Sequence, residues 1–495
     1  MKNLLLLLIA FIPNLLFAQL VSDFQVNDPD TAARDDFEGR IDVDGEGNYV
    51  IAWTDRRTGR PNVFCQMYNS NSVRIGNNFR VNNIPDSSSS PDIAVNKNGK
   101  FGICWYQSTN FQTHLNLKLY DKQGDPITNE IILNDSTNGI HGDPRIDINS
   151  LGEYIITWDY RPNTSTFQTI YYQVVDSNGN KIGTNRIADD QTPVRKDNPS
   201  INVFPDNRFV ITWQDRRVTN VEDIYYQMFD GDGNKIGGNT RVYDDTLSNA
   251  QTFPLASSDS LNRFCICFTE FDLSGPVFRI RGQPFNSDGS RDGTDFVVAP
   301  FSLDQYLRAI EKRSDGKMVV AFDKGFMNNV PYFQRLDSSG NEIGGEYAVS
   351  IEAQNFNKNY TDVAVYGDKI ISVWDDSRNG NSDVFCNVRS FTNPDSTVGI
   401  SQIWNELPSD YRLYQNYPNP FNPMTKIKYS IPQEGLVKLK IYDMAGREII
   451  SLVNEIKEAG SYEIVFNGNA LSSGVYFYKI EVGSFKETKK MILLK

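Results

Sequence analysis

Acidic and basic side chains follow a tryptophan at four places in the sequence. The stretches are VIAWTDRR, IITWDYR, VITWQDRR and ISVWDDSR. A carboxylate beside a guanidinium group can belong to a polar rim that binds an anionic or sugar ligand, and it can equally form an ion pair that holds two loops together. The four sets are Trp53, Asp55 and Arg57; Trp158, Asp159 and Arg161; Trp213, Asp215 and Arg217; and Trp374, Asp375 and Arg378.

Repetition favours the structural interpretation of these sets. An active site uses a few residues in distinct roles, whereas these residues recur in equivalent positions. We expect each Asp-Arg pair to hold its loop against the next unit, with the aromatic side chain packed between sheets. A ring of polar groups that binds a ligand is the alternative.

Two later copies of the pattern lack the Asp-Arg pair. They are FTEFDLSGP, which begins at Phe268, and FDKGFMNN, which begins at Phe322. A ligand site in a repeat protein can lie where the repeat departs from its own pattern, and drift of an unconstrained loop is the alternative. On the first interpretation, the predicted ligand-binding residues are Glu270, Asp272, Asp323 and Lys324.

Motifs for catalysis and for cofactors are absent from the sequence. The chain has two histidines, His114 and His141, and it contains no nucleophile elbow, HExxH zinc motif or phosphate-binding loop. The sequence therefore predicts no cofactor, no metal and no assembled catalytic set. Carboxylates are numerous enough for a glycosidase-type pair, although the sequence does not indicate which two would meet.

Repeated β-strands are the elements that must position these residues. The aromatic residue that ends the second strand recurs every 52–55 residues, at Trp53, Trp105, Trp158, Trp213, Phe268, Phe322 and Trp374. One unit, from Asn198 to Asp245, shows four segments rich in β-branched and aromatic residues, separated by Gly, Asn and Asp. Seven such units predict an all-β chain that contains a seven-bladed β-propeller.

The turn before the fourth strand repeats its own chemistry. It reads DSNGNKIG, DGDGNKIG and DSSGNEIG in three units. The first Asp can accept hydrogen bonds from the backbone of its own turn, and Gly adopts a left-handed conformation without a steric penalty from a Cβ atom. The pattern is typical of short hairpin turns.

The two ends of the repeat are incomplete in complementary ways. The last unit stops after its third strand, DVFCNVRSF, and the chain begins with an unattached fourth strand, SDFQVNDPD. Seven fourth strands serve seven blades only if this N-terminal strand completes blade seven. We predict this closure, because it removes two exposed sheet edges.

The N-terminal residues 1–18 have the features of a secretory signal peptide. An apolar run from Leu4 to Phe17 follows Lys2, and Ala18 precedes the expected cleavage point. A proline interrupts the run, which argues against a membrane anchor, and no later segment is apolar enough to span a bilayer. The sequence therefore predicts export.

The distribution of charge narrows the classes of expected partner, and the positions of the cysteines indicate whether they form disulfides. Residues 19–410 carry a formal net charge of −18 and residues 411–495 carry +4. An acidic body repels phosphate backbones, so nucleic acid is not an expected partner. The five cysteines lie in apolar, strand-like runs and are expected to be buried thiols rather than a disulfide framework.

A second domain is expected after a linker, rich in Pro, Ser and Asp, at residues 393–410. Alternation in KIKYSI and VKLKIYD predicts half-exposed strands of a small antiparallel β-sandwich. Four motifs stand out in this region: YPNPFNP, IYDMAGREI, SGVYFYKI and TKKMILLK. With these motifs, residues 411–495 closely resemble the type A C-terminal sorting domain of the type IX secretion system of Bacteroidota and their relatives. The resemblance implies passage across the outer membrane through the type IX machinery, after which the cargo is released or attached to the cell surface.

The sequence thus predicts a signal peptide (1–18), a propeller (22–392), a linker (393–410) and a sorting domain (411–495). The leading hypothesis is a non-catalytic cell-surface or released binding protein whose propeller engages a glycan or a protein. A secreted polysaccharide-degrading hydrolase or lyase, with carboxylates at the channel mouth, is the alternative, and a purely structural role at the surface is a third. The fold does not choose among them, since propellers host many unrelated functions.

Overall fold

The structure is a computed structural model of the 495-residue chain. It describes residues 21–28, 35–83, 87–109, 112–163, 165–218, 221–243, 249–272, 277–302, 305–325, 329–350, 358–392, 400–403, 410–422, 424–433, 435–457, 460–468 and 471–494. The predicted signal peptide lies outside the described residues. Regular structure in the described part of the chain is β-strand, and no helix there is long and apolar enough to cross a membrane.

The chain divides into two compact units, Val21–Asp395 and Ser396–Lys495 together with the first 20 residues. The first unit contains seven four-stranded antiparallel sheets among its described residues. We number these sheets 1 to 7 in chain order.

The strands of sheets 1 to 3 have the following bounds. Sheet 1 contains β2 (Phe37–Val43), β3 (Tyr49–Asp55), β4 (Asn62–Tyr68) and β5 (Arg74–Arg80). Sheet 2 contains β6 (Ser87–Val95), β7 (Phe101–Thr109), β8 (Gln112–Tyr120) and β9 (Ile131–Ile132). Sheet 3 contains β10 (Ile140–Ile148), β11 (Tyr154–Arg161), β12 (Thr169–Val175) and β13 (Lys181–Ile187).

Sheets 4 to 7 continue the same strand order. Sheet 4 contains β14 (Lys196–Val203), β15 (Phe209–Asp215), β16 (Asp223–Phe229) and β17 (Lys235–Arg241). Sheet 5 contains β18 (Ala250–Ser258), β19 (Phe264–Asp272), β20 (Val277–Phe285) and β21 (Phe296–Ser302). Sheet 6 contains β22 (Gln305–Lys312), β23 (Met318–Lys324), β24 (Val330–Leu336) and β25 (Tyr347–Ala348). Sheet 7 contains β26 (Lys358–Tyr366), β27 (Lys369–Asp376), β28 (Asp383–Ser390) and β1 (Val21–Gln25).

Sheet 7 joins the two ends of this unit. The N-terminal strand β1 pairs antiparallel with β28, with Phe24 opposite Cys386. The side chain of Asn27, just beyond β1, accepts a hydrogen bond from the Val384 amide at 3.0 Å and donates one to Asp383 at 2.9 Å. The strand is therefore held both by its backbone ladder and by a buried amide.

Apolar side chains pack between sheets rather than within one sheet. Each pair of consecutive sheets shares one buried cluster, and sheets 7 and 1 share another, in which Trp53 and Val373 lie together. Because every sheet buries both faces, its second strand is apolar on both sides, as FVITW is in sheet 4. All seven recurring aromatic residues that end these second strands are fully buried: Trp53, Trp105, Trp158, Trp213, Phe268, Phe322 and Trp374.

The repeated hairpin turns have the geometry that their sequence predicts. In the turn before β17, Asp230 Oδ1 accepts the amides of Asp232 at 3.0 Å and Asn234 at 2.7 Å, and Gly233 has a φ of 79°. The turn before β13 is built in the same way around Asp176. A residue with a Cβ atom would be strained at the glycine position.

The five cysteines are free and buried, as their apolar surroundings suggest. Cys265 and Cys267 lie two residues apart on β19, with their sulfur atoms 3.9 Å apart. Burial raises the pKa of the Cys65 thiol. These thiols are therefore small apolar packing groups.

The second unit contains two further four-stranded sheets that share one apolar core. One consists of β29 (Ile400–Ile403), β34 (Gly460–Asn467), β31 (Met424–Ile431) and β30 (Arg412–Leu413), and the other of β33 (Glu448–Lys457), β32 (Gly435–Tyr442), β35 (Gly474–Val482) and β36 (Phe485–Leu493). Strand β29 falls within the region expected to be linker. It pairs with β34, so residues 400–403 belong to the second compact unit.

Replacement of Asn27 by alanine tests how the N-terminal strand is held. Asn27→Ala leaves the buried Val384 amide without its acceptor, so we expect the free energy of unfolding to fall by about 1–3 kcal/mol. We also expect faster hydrogen exchange of the β1 amides. Asn82→Ala is the matched control, because Asn82 bonds Val63 and Asn62 of sheet 1 in the same way. The control should lose comparable stability without faster exchange in β1; equal exchange of β1 in both variants would contradict the assignment.

Candidate functional site

The first strands of the seven sheets surround a common cavity. One cavity of about 210 Å³ is lined by residues of β2, β6, β10, β14, β18, β22 and β26. A second, of about 170 Å³, is lined by the same seven strands further along and shares Arg40, Arg145, Leu255 and Arg308 with the first. We call the first cavity the mouth and the second the channel.

Every first strand has an irregular register at the level of the mouth. In six of the seven, a residue at this point adopts a left-handed backbone conformation with φ between 46° and 61°: Glu38, Ser90, Asp143, Asn198, Phe253 and Tyr360. Asn and Asp tolerate this conformation, whereas bulky residues rarely do. Phe253 and Tyr360 are therefore held there by their surroundings, and strain of this kind accumulates at functional sites.

The residue that follows the irregularity points into the channel. Sheets 7, 1, 2 and 3 supply charged residues in alternating order, Asp362, Arg40, Asp92 and Arg145, whereas sheets 4, 5 and 6 supply Ser200, Leu255 and Ala309. At this position of the first strands, one side of the channel is therefore charged, and the other is small or apolar.

Carboxylates on the first strands bond the backbone of the neighbouring sheet. Asp362 Oδ2 accepts the Ile41 amide at 3.0 Å, and Asp92 Oδ2 accepts the Ile146 amide at 2.9 Å. Deeper in the channel, Asp42 accepts the Val95 amide at 2.6 Å. These bonds satisfy amides on the strand edge that has no ladder partner, which unpaired would be costly to bury.

Burial of these carboxyl groups changes their proton affinity. Burial raises the pKa of Asp42 to about 8 and that of Asp147 to about 7. Glu311 lies in the same channel; its burial, and then the neighbouring Asp42 and Asp147, raise its pKa well above the ordinary value. A protonated carboxyl is neutral, so the channel carries less negative charge than its composition indicates.

Aromatic rings form part of the wall of the mouth. The Phe253 and Tyr360 side chains are each 43% exposed. Between sheets 6 and 7, the Arg308 guanidinium lies 4.9 Å from the centre of the Tyr360 ring and 5.8 Å from that of Tyr306. Asp323 fixes Arg308 with a 2.5 Å ion pair. Exposed rings beside charged groups can bind a ligand that has both apolar faces and polar edges.

Two carboxyl groups meet at the edge of the mouth on sheet 3. Asp143 is exposed and lines the mouth, and Asp159 is buried behind it. Burial, and then the Asp143 and Asp197 carboxylates, raise the pKa of Asp159 to about 8, and Gln168 donates a hydrogen bond to it at 3.2 Å. Near neutral pH this pair therefore holds a proton next to a carboxylate.

The predicted Trp-Asp-Arg sets form buried networks in sheets 1 and 4. In sheet 4, Trp213 Nε1 donates to Asp215 at 3.1 Å and Arg217 pairs with Asp215 at 2.5 Å. Arg217 also pairs with Asp190, which precedes sheet 4, at 2.6 Å and lies over the Tyr225 ring. Sheet 1 repeats the arrangement with Trp53, Asp55 and Arg57, in which Arg57 lies over the Phe64 ring.

The sets expected in sheets 7 and 3 require correction. In sheet 7, Arg378 pairs with Asp376, and Asp376 also accepts a hydrogen bond from Trp374 Nε1 at 3.1 Å. The neighbouring Asp375 points to the other face of the strand, where it accepts the Glu38 amide of sheet 1. Residues two apart share a face of a strand and adjacent residues do not, so the spacing is Trp-x-Asp-x-Arg.

In sheet 3, Asp159 is adjacent to Trp158 and faces Asp143 for the same reason, and Arg161 lies exposed at the end of its strand. No Trp-x-Asp-x-Arg network forms there. Arg40, Arg145 and Asp143 were not anticipated as site residues; a comparison of the first strands at the residue beside each irregularity would have pointed to them.

The four predicted ligand-binding residues have separate surroundings. Glu270 is buried and pairs with Arg279 at 2.6 Å, and Lys324 pairs with Glu346 at 2.6 Å. Asp323 instead pairs with Arg308 of the mouth, and Asp272 is half-buried at the end of β19. A ligand role for these residues stays a prediction. No group of three or more His, Cys, Asp or Glu side chains within the described ranges is arranged to hold a metal ion.

Comparison with known proteins identifies the C-terminal part of the chain. Residues 415–494 match the family described as Secretion system C-terminal sorting domain. This region is therefore a type IX sorting domain, and such a domain implies export to the cell surface or the medium. No curated protein sequence matches the chain.

Three solved structures illustrate what the chain is similar to, and one of them is described as a β-propeller domain. An ulvan lyase has a TM-score of 0.47 at 10% identity and covers 77% of this chain and 99% of its own. An α-L-arabinofuranosidase of Fusarium graminearum, solved with arabinobiose, has a TM-score of 0.45 at 9% identity, with coverage of 76% and 99%. The β-propeller domain of the Trilobed protease from Pyrococcus furiosus has a TM-score of 0.44 at 9% identity, with coverage of 73% and 100%. At these identities and TM-scores, the similarity does not extend to ligands or reactions.

Removal of the Asp215 carboxylate tests the structural role of the Trp-x-Asp-x-Arg networks. Asp215→Ala leaves the Trp213 N–H and the Arg217 guanidinium without their shared acceptor, so we expect a loss of about 3–5 kcal/mol in the free energy of unfolding. Asp232→Ala, which removes an exposed carboxylate from a turn, should change it by less than about 0.5 kcal/mol. Thermal unfolding followed by circular dichroism measures both. An unchanged melting temperature for Asp215→Ala combined with lost ligand binding would show that the network is a binding site.

Proposed function

We propose that this protein is an exported, seven-bladed β-propeller that binds a glycan at the mouth of its central channel. Seven sheets that share apolar clusters in sequence, including one between sheets 7 and 1, support a closed ring of seven blades. We further propose that the two C-terminal sheets, which share one core, form a β-sandwich.

The observation that carries the glycan proposal is the composition of the mouth. Two rings, Phe253 and Tyr360, are partly exposed beside the charged groups of Arg40, Arg145 and Glu38. Sugar rings present apolar faces and hydroxyl edges, so a site for them combines aromatic surfaces with convergent polar groups. Arg308, fixed by Asp323, keeps the Tyr360 side of the mouth rigid.

The sorting domain supplies the location in which such a protein acts. It implies export through the type IX machinery to the cell surface or the medium. We propose that an N-terminal signal peptide, residues 1–18, directs the first export step. An extracellular address is consistent with a polysaccharide or surface glycan as ligand.

Truncation of one mouth tyrosine tests the proposal. Affinity electrophoresis of the full-length protein through gels that contain polysaccharides should show retardation by one polymer. Tyr360→Ala should weaken that binding by about tenfold, since a buried aromatic contact contributes roughly 1–2 kcal/mol. Tyr366→Ala is the matched control, because Tyr366 is 36% exposed near the opposite end of the same strand. Equal weakening by both variants would argue against binding at the mouth.

A second function, cleavage of the bound glycan, is favoured by the carboxyl pair of sheet 3. Asp159 holds a proton behind Asp143, and Asp143 lines the mouth. Cleavage of a glycosidic bond needs a carboxylic acid near the leaving oxygen, and a pair that shares a proton can supply it through its exposed member. In a hydrolytic mechanism, Asp143 gives the shared proton to the leaving oxygen as the glycosidic bond breaks, and Asp159 positions that proton. A solvent water then adds its hydroxyl group to the anomeric carbon and returns a proton to the pair.

Replacement of Asp143 by asparagine separates binding from cleavage. If the pair is catalytic, the release of reducing or unsaturated ends should fall by at least about 100-fold in Asp143→Asn, while retention by the polymer persists. The wild-type rate should decline as the pH rises through about 8, because Asp159 loses its proton there. Asp232→Asn should behave as wild type. The absence of product from a retained polymer would leave the protein as a binding protein.

A further inference from the structure

Among the residues that the structure describes, the Arg145 side chain differs from the other arginines of the mouth in having no direct partner. It lies on β10, is half-buried and lines both the mouth and the channel. Arg308 pairs with Asp323 at 2.5 Å, and Arg40 lies 4.0 Å from Asp92. Among the described residues, the Arg145 side chain makes no hydrogen bond and no ion pair within 4 Å, although its backbone pairs with Thr157 in the sheet. Its guanidinium group therefore has all its donors available to a ligand.

The charges around Arg145 compensate it only in part. Burial, and then the Arg40 guanidinium, lower the pKa of Arg145, and Asp92, Asp143 and Asp362 act in the opposite direction. Asp92 and Asp362 are already engaged, since each accepts a backbone amide of the neighbouring first strand. A desolvated cation beside another cation is stabilised by an anion at hydrogen-bond distance.

Arg40 is compensated differently, although it occupies the equivalent position two sheets away. Burial acts to lower its pKa, but Asp362 and Asp92 outweigh burial and the pKa of Arg40 stands above its ordinary value. The uncompensated positive charge of the mouth is thus concentrated at Arg145. Leu255 and Ala309 occupy the corresponding positions on sheets 5 and 6, so these two positions add no charge to the channel. The nearby ionisable groups of sheet 6 are Arg308, which is paired with Asp323, and Glu311, whose pKa is raised by burial.

We infer that the mouth binds an acidic glycan, with Arg145 donating hydrogen bonds to a carboxylate or sulfate oxyanion of the sugar. This inference rests on the proposed glycan-binding function and specifies the class of ligand. The planar guanidinium matches a carboxylate or a sulfate group through two parallel hydrogen bonds. Phe253 and Tyr360 then lie beside the sugar ring that carries the anion.

The test uses the full-length protein in affinity gels that contain one of four polymers. Polygalacturonate presents carboxylates and carboxyl-reduced polygalacturonate does not; dextran sulfate presents sulfate esters and dextran does not. We expect retardation by one acidic polymer and not by its neutral counterpart, with an affinity that falls as salt rises. Retention by polygalacturonate identifies a uronate ligand, and retention by dextran sulfate identifies a sulfated one.

The matched variants are Arg145→Gln and Arg80→Gln, which remove the same charge. Arg80 is exposed on β5, the outer strand of sheet 1. Arg145→Gln should weaken binding by about 10- to 100-fold, the value of charge-assisted hydrogen bonds, and Arg80→Gln should leave it unchanged. Because the Arg145 side chain has no partner among the described residues, Arg145→Gln should also keep the melting temperature of the wild type. A lowered melting temperature would indicate a structural role and overturn the inference.

The outcomes separate this inference from the proposal on which it rests. Retention by a neutral polymer that is lost in Tyr360→Ala and kept in Arg145→Gln would overturn the acidic ligand and leave glycan binding at the mouth intact. Retention by none of the four polymers, with the protein folded, would count against both. An equal loss of polymer binding in Arg145→Gln and Arg80→Gln would show that binding depends only on the net charge of the protein. That result would overturn the role of Arg145.

Discussion

The free edge of each first strand is the constraint on which the rest of the first unit depends. A first strand such as β2 pairs with β3 on one side, and its other edge faces the channel without a strand partner. Its amides still need acceptors, because an unpaired amide in a buried place is costly. Side chains of the preceding sheet provide them, as Asp362 does for Ile41 and Asp92 does for Ile146.

The use of carboxylate side chains as acceptors for these amides places acidic groups inside the channel and so determines its electrostatics. Burial, and then the carboxylates that hold neighbouring sheets together, raise the pKa of Glu311. The guanidinium groups of Arg40 and Arg145 offset part of the negative charge of these carboxylates. The charge of the channel therefore follows from the carboxylates that join the seven sheets. A ligand can bind to any charged side chain in the channel that these carboxylates and arginines do not neutralise. Arg145 is such a side chain.

The recurring networks show how a repeated motif differs from a site. Trp-x-Asp-x-Arg forms the same contacts in sheets 1, 4 and 7, and in each case the guanidinium also covers an aromatic ring of the third strand. In sheet 3 the acid lies one residue earlier, next to Trp158, and it faces Asp143 rather than an arginine. A shift of one residue on a strand thus turns a structural acid toward the mouth.

Much of the fold could be predicted from the sequence because it depends on local rules. The period of 52–55 residues, the Asp-Gly turns and the incomplete terminal units follow from strand alternation and turn chemistry. The site could not be predicted in the same way, since it depends on which residues of seven distant strands meet on one axis. Glu270 illustrates the difficulty: the sequence shows that it departs from the repeat, but not that it forms a buried ion pair with Arg279.

The pairing of β1 with β28 has a consequence for the order in which this protein can fold. The contact between Asn27 and Asp383 joins residues 356 positions apart in the chain. Contacts of such long range form slowly, because the intervening chain must first be brought together. During synthesis, the strand that is made first waits for nearly the whole of the first unit before sheet 7 can be completed. Until then, the edge of β28 and the apolar faces of sheets 7 and 1 stay unpaired, which makes the incomplete chain a substrate for chaperones and for aggregation.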